Sequence, residues 1–271
     1  MTQALNALIE RLHVALEANR RFAADAAHEL RSPVTAISGE IDVALLRDRT
    51  PDEYRSTLTI VQNRLGVLTT LISELMLLVR AQESRTYVPL REVHIGEVVT
   101  TSVMRLHGLA TSRHVDVAVS GLDQYVTYAD AGLLGRVFDN VIENAVRYNR
   151  DGGHVVIDAA FTESEPGEWT AGQLSIRVTD TGSGIPETDW DRVFDRFFRV
   201  DQSRNRFTGG FGLGLAIARE VLALFKGQIA VETSSMNGTT IRIDLPARCG
   251  SALDGPVDTD MSSRVDRQPV H

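Results

Sequence analysis

The sequence predicts two structural units. A helical hairpin that pairs with a second copy into a four-helix bundle comes first, and an α/β sandwich, a sheet with helices on one face, follows it. Three observations carry this expectation. Apolar residues recur at heptad spacing over two long stretches in the first third of the chain. The period then changes to the alternation of strands, with helical patterns between them. A polar stretch, "AQESRTYVPLREV" (81–93), separates the two regimes as a linker running into an extended segment.

The first helix is expected over residues 4–46, rich in Ala, Leu, Glu and Arg. Its seam is Leu30, Val34, Ile37, Ile41 and Ala44. "RDRTPDE" (47–53) ends it and starts the next. There Thr50 is the expected N-cap, Pro51 suits the first helical position, and Glu53 completes a capping box. The second helix runs to about 82 on the seam Leu58, Val61, Leu65, Leu68, Ile72, Leu75 and Val79. Two helices alone bury little surface, so dimerisation is expected. The alternative is a hairpin packed on its own C-terminal domain. Strands are expected at 115–120, 154–161, 174–180, 228–234 and 239–246, and helices at 95–111, 130–147, 187–198 and 212–225. From 247 onward the chain is polar and aperiodic, an expected disordered tail.

Composition narrows the function classes. Lys and Arg number 28 against 36 Asp and Glu, a net charge of −8, which argues against nucleic acid as a main partner. One cysteine, Cys249, allows no intrachain disulfide, and no His or Cys lies near it at ligand spacing. The most apolar run, residues 65–79, is interrupted by Glu74 and falls short of a membrane span. A cytoplasmic location follows, at the inner face of the membrane if the chain is the inner part of a membrane sensor.

The chemistry-bearing residues fall into a few segments. In "AADAAHELRSPVTAI" (23–37), His28 points away from the apolar seam. Glu29 adjoins it, and Pro33 removes a helical N–H and clashes with the Glu29 carbonyl, so a kink is expected there. "DTGSGIP" (180–186) and "GGFGLGLAIA" (209–218) are glycine-rich turns, the second running into a helix whose N-terminal N–H groups suit phosphate. Neither has Walker or dinucleotide-fold spacing. Asn140 and Asn144 share one face of an otherwise apolar helix, costly for two amides unless they bind something.

Taken together, "HELRSP", "NVIENA", "DTGSGIP", "VFDRFFRVD" (193–201) and "GGFGLGL" resemble, in order and spacing, the H, N, G1, F and G2 boxes of bacterial two-component sensor histidine kinases. The resemblance covers roughly residues 3–246. It implies a dimerisation and phosphoacceptor hairpin at 20–84 and an α/β sandwich of the histidine-kinase, GHKL-type ATPase kind at 85–246. Residues 1–19 would be the remnant of a membrane-proximal signalling helix and 247–271 a tail.

The implied activity is that of a protein-histidine kinase using ATP and Mg²⁺, with a response-regulator receiver domain as partner. His28 would be the phosphoacceptor and Glu29 its general base. Asn144 would ligate Mg²⁺ with Asn140 in support. Arg147 would lie near phosphate and Tyr148 against adenine. Asp180 would accept the adenine amino group, in a pocket shaped by Gly182 and Gly184 and joined by Thr240. Gly210, Gly212, Leu213 and Gly214 would form the phosphate-side loop. Arg204 and Arg206 would reach phosphate from a mobile lid spanning 187–209.

Three departures stand out. Position 32 is Ser where Thr or Asn is usual in the family, which leaves the implied phosphatase activity open. Phe211 occupies a site often held by a small or polar residue. Residues 5–22 resemble the exit of a signalling helix, with no sensor domain before them. Two other readings compete: a gyrase- or chaperone-like ATPase with Glu143 as the base, and a non-catalytic scaffold. Neither has a need for "HELRSP" on a helical hairpin together with every loop glycine.

Overall fold

The computed structural model describes residues 2–83, 89–163, 172–200 and 210–250. Arg204, Arg206, residues 201–209 of the expected lid and the expected tail after 250 lie outside them. Helix α1 spans Thr2–Leu45 and α2 spans Pro51–Glu83. The capping box forms as expected: the Thr50 amide donates to Glu53 Oε2 at 2.8 Å, and the Glu53 amide donates to Thr50 Oγ1 at 3.3 Å. That bond from Thr50 holds the Glu53 carboxyl below its ordinary pKa. Helix α1 runs unbroken through Pro33, which is buried. Arg64 bridges to Glu40 at 3.0 Å and fixes the level at which the two helices lie side by side.

The expected seams divide into two kinds of position. Leu30, Ile37, Val61, Leu68, Leu75 and Val79 are half-buried and Ala44 is buried. Val34, Ile41, Leu58, Leu65 and Ile72, at steps of seven within each helix, stay exposed. A different face of α2 is buried most deeply: Leu71 and Leu78 join the core of the following domain. The hairpin therefore does pack on its own C-terminal domain, and α2 carries a second apolar face that the heptad count did not reveal.

The second unit begins with β1 (Arg91–His94) and α3 (Ile95–Ser112). It continues through β2 (Asp116–Val119), β3 (Tyr125–Ala129), α4 (Ala131–Arg147), β4 (His154–Glu163) and β5 (Gly172–Asp180), and ends with α5 (Gly214–Leu224), β6 (Gln228–Ser235) and β7 (Gly238–Cys249). The strands form one sheet in the order β1-β3-β7-β5-β4-β2, with β6 also paired to β7. Only β2 and β4 run parallel. One face carries Val155, Ile157, Leu174, Ile176, Val178, Ile241, Ile243 and Leu245 into a core shared with Val137, Phe138 and Val141 of α4 and Ile217 and Val221 of α5. The opposite face is polar. Arg177 pairs with Asp158 and Glu232, and Arg242 pairs with Glu232 and Asp244. This is the one-sided sandwich that the alternation predicts.

Three expectations need correction. Strand β3 was not anticipated: Tyr125, Val126 and Thr127 are all buried, so the segment shows no alternation. Residues 187–198 form no α-helix, only short 3-10 turns at Glu187–Asp189 and Arg192–Phe194. The chain there turns through Phe197, whose φ of 61° is left-handed, and the Phe197 amide donates to Gly212 O at 2.9 Å. A tertiary bond to the glycine loop thus replaces a helical one. Finally, β7 runs past Pro246 to Cys249, because β3 pairs with that end.

Candidate nucleotide site

Helix α4 supplies one wall of a cavity of about 590 Å³. Its N-terminus is capped by Asp130, whose side chain accepts from the Leu133 amide at 2.9 Å. Its buried face, from Leu134 to Val146, fixes the helix against the sheet. That anchoring turns Asn140, Glu143, Asn144 and Arg147 to the cavity, with Tyr148 at the C-cap. Arg147 pairs with Glu143 through two contacts of 2.8 and 2.6 Å to Oε1.

The end of β5 brings Asp180 to the opposite wall. Asp180 Oδ1 accepts from the Gly182 amide at 2.7 Å and the Thr239 amide at 3.2 Å. Burial pushes the Asp180 carboxyl above its ordinary pKa, and these two amides pull it back. The glycines beside it are required by close approach. A Cβ on Gly182 would stand 2.3 Å from Tyr148 O, and one on Gly184, at φ +75°, would stand 1.9 Å from Ser235 O.

The third wall is the glycine loop leading into α5. Gly212 has φ +73°, and a Cβ there would strike Phe198 O at 2.6 Å. Gly214 opens α5, and a Cβ on it would lie 3.2 Å from Asn140 Oδ1. Leu213, at the N-cap of α5, makes no side-chain cap, and Gly212, Gly214 and Leu215 line the cavity there. Uncapped helical N–H groups facing a cavity suit a phosphate.

Of the residues singled out from sequence, Asn140, Asn144, Arg147, Tyr148, Asp180, Gly184, Gly210, Gly212 and Gly214 line this one cavity. Gly182 is not among the lining residues, and its amide donates to Asp180. Leu213 is fully buried in the core rather than at the cavity. Thr240 turns to Thr179, with their hydroxyls 3.1 Å apart, and Thr239 is the threonine that lines the cavity. Strand parity held that signal: Thr239 shares its face with Ile241 and Ile243. Phe211 lines the cavity as well, beside Phe198, Arg199 and Val200. Sequence reasoning missed Val67, Thr70 and Glu74, which reach the cavity from α2.

His28 and Ser32 are exposed on α1 and Glu29 is half-buried; none of the three lines the cavity. Six residues before His28, Phe22 packs on Phe197 with ring centroids 6.3 Å apart, and the Arg196 guanidinium lies 4.8 Å over the Phe22 ring. Among the described residues there is no cluster of three acidic, His or Cys side chains able to hold a metal by itself. The oxygen donors lining the cavity from α4 include the Asn140 and Asn144 carboxamides. They suit a Mg²⁺ ion that keeps most of its ligands from phosphate and water.

Comparison with known proteins agrees with this architecture. Residues 18–84 match the His Kinase A (phospho-acceptor) domain, and residues 129–248 match the histidine kinase-, DNA gyrase B-, and HSP90-like ATPase family. The sensor-like histidine kinase SenX3 of Mycolicibacterium smegmatis is 34% identical over 86% of this chain and 59% of its own length. The sensor histidine kinase WalK of Bacillus subtilis is 34% identical over 84% of this chain and 36% of its own. This chain thus spans less than two thirds of each. Among solved structures, histidine kinase ThkA in complex with response regulator protein TrrA gives a TM-score of 0.62 at 22% identity, over 83% of this chain and 61% of that one. Acinetobacter baumannii histidine kinase AdeS gives 0.60 at 19%, over 81% and 97%. Both share the fold.

Proposed function

The chain belongs to the sensor histidine kinases, and on that premise we propose that it phosphorylates His28 from ATP and passes the phosphoryl group to an aspartate of a response-regulator receiver domain. The observation that carries the ATP half is the cavity. Amides, a half-buried carboxylate, a guanidinium and the N-terminus of a helix converge there from α4, β5, β7 and the glycine loop. Asp180 accepts the exocyclic amine of adenine, with its carboxylate aimed by the Gly182 and Thr239 amides. Tyr148 flanks the base. Asn140, Asn144, Arg147 and the start of α5 hold the triphosphate. Asn144 would hold Mg²⁺, which would supply electrostatic screening of the phosphate charge.

His28 is exposed on its helix, as a group must be that meets first a nucleotide and then a second protein. Glu29 is the proposed base for the imidazole, and Ser32, one turn on, the residue that would orient water for hydrolysis of the partner's aspartyl phosphate, releasing inorganic phosphate. The exposed half of each seam, Val34, Ile41, Leu58, Leu65 and Ile72, is the surface that a second copy covers to complete a four-helix bundle.

Calorimetric titration with ATP tests the site. The wild type is expected to bind, and Asp180→Asn and Asn144→Ala each to weaken binding by about tenfold or more. Undiminished binding by both variants contradicts the assignment. Mixing phosphorylated chain with a receiver domain tests the transfer: label is expected to leave His28 and appear on the receiver's aspartate.

A further inference from the structure

The nucleotide cavity is not built by the ATPase domain alone. Val67, Thr70 and Glu74 line it from α2, at spacings of three and four residues that put them on one stripe of that helix. Two sets of contacts hold the hairpin in this position. Leu71 and Leu78 of α2 are buried in the core of the second domain. Phe22 of α1 is held between Phe197 and Arg196, and Arg196 is anchored in turn to Glu220 of α5 at 3.3 Å. From the Arg64–Glu40 bridge, ten residues along each helix bring Glu74 level with Leu30, two residues from His28.

Building on the nucleotide reading, we propose that Glu74 is a specificity-determining residue of a composite nucleotide site. Its carboxylate makes the triphosphate, and not the nucleoside, sensitive to the position of the hairpin. Asp180 and Arg199 line the same cavity. Glu143, Arg136 and Arg147 face Glu74 from α4. On α5, Arg219 and Glu220 pair with Asp195 and Arg196. On α1, the charged groups at its level are the exposed His28 and Arg31 and the half-buried Glu29.

Burial and the neighbouring Glu143 push the Glu74 carboxyl up to about 7, against the pull of the two arginines. The docked hairpin therefore favours protonated Glu74, and that preference is lost as pH rises through about 7. Above that pH a carboxylate stands in the cavity wall beside Glu143 and Arg147, where a triphosphate adds negative charge. Docking of α2 and phosphate entry then oppose one another. An uncharged nucleoside meets no such cost.

The test compares ATP and adenosine, with Mg²⁺, on the full chain and on Glu74→Gln. At about pH 8 the variant is expected to bind ATP about three- to tenfold more tightly than wild type, with adenosine unchanged, and the gain is expected to shrink at about pH 6. Thr70→Glu, which adds a carboxylate one turn away on the same stripe, is expected to weaken ATP and spare adenosine. Equal shifts for ATP and adenosine, or none for either variant, overturn the proposal while leaving the nucleotide site in place. A wild type that binds neither ligand overturns the nucleotide reading itself.

Discussion

Asp180 illustrates how one residue can be held against its own stability. Its pKa is raised by burial, so the folded state holds the proton more tightly than the unfolded chain does. Stability from this group is present below its ordinary pKa and is lost as pH rises through the raised value. Asparagine has no proton to lose and keeps an oxygen for the Gly182 and Thr239 amides. Asp180→Asn is therefore expected to gain thermal stability relative to wild type as pH rises through the carboxylate range, while losing ATP affinity. Melting curves over a pH series check the first half. Gly184→Ala, with φ +75° and a carbonyl where its Cβ must go, is expected to cost about 1–3 kcal/mol in denaturant unfolding. At this scale much was legible. Asparagines at a four-residue step and glycines ahead of a helix stand out by chemistry alone, and the structure gathers them on one cavity. Thr240 in place of Thr239 was a slip in strand parity, and Leu213 was an apolar neighbour drawn in by the glycines around it.

The elements were legible wherever one period held. Helices α1 and α2 and strands β4 to β7 each show a single repeat, and the Thr50–Glu53 box marks where α2 begins. Strand β3 was hidden because its first three residues are all buried and it runs directly into the Asp130 cap. The false helix at 187–198 had helical spacing in Trp190, Val193, Phe194, Phe197 and Phe198. Those side chains instead serve the turns that the Phe197–Gly212 bond imposes. Helix α2 has two apolar faces with separate tasks, and substitutions should separate them. Leu71→Ala, on the fully buried face, is expected to cost about 2–5 kcal/mol in unfolding, with the chain's oligomeric state unchanged. Leu65→Glu, on the exposed face, is expected to leave monomer stability within about 0.5 kcal/mol and to shift sedimentation toward monomer.

At the scale of the whole molecule, the sequence shows both units and their order, because each satisfies its own pattern. How they meet was not legible: Leu71, Leu78 and Phe22 look like ordinary apolar positions until the other unit is beside them. That meeting makes the site composite, placing α2 in the cavity wall close to the level of His28 while leaving His28 itself exposed. Under the proposed function a phosphoryl group would travel from the cavity to that histidine, and the hairpin and the ATPase domain would then have to change their mutual position during the cycle. The most direct measurement is incubation of the chain with γ-labelled ATP and Mg²⁺, followed by acid and base treatment. Acid-labile, base-stable label on wild type, absent from His28→Gln, is the predicted result. No label on wild type, or equal label on His28→Gln, would contradict the account.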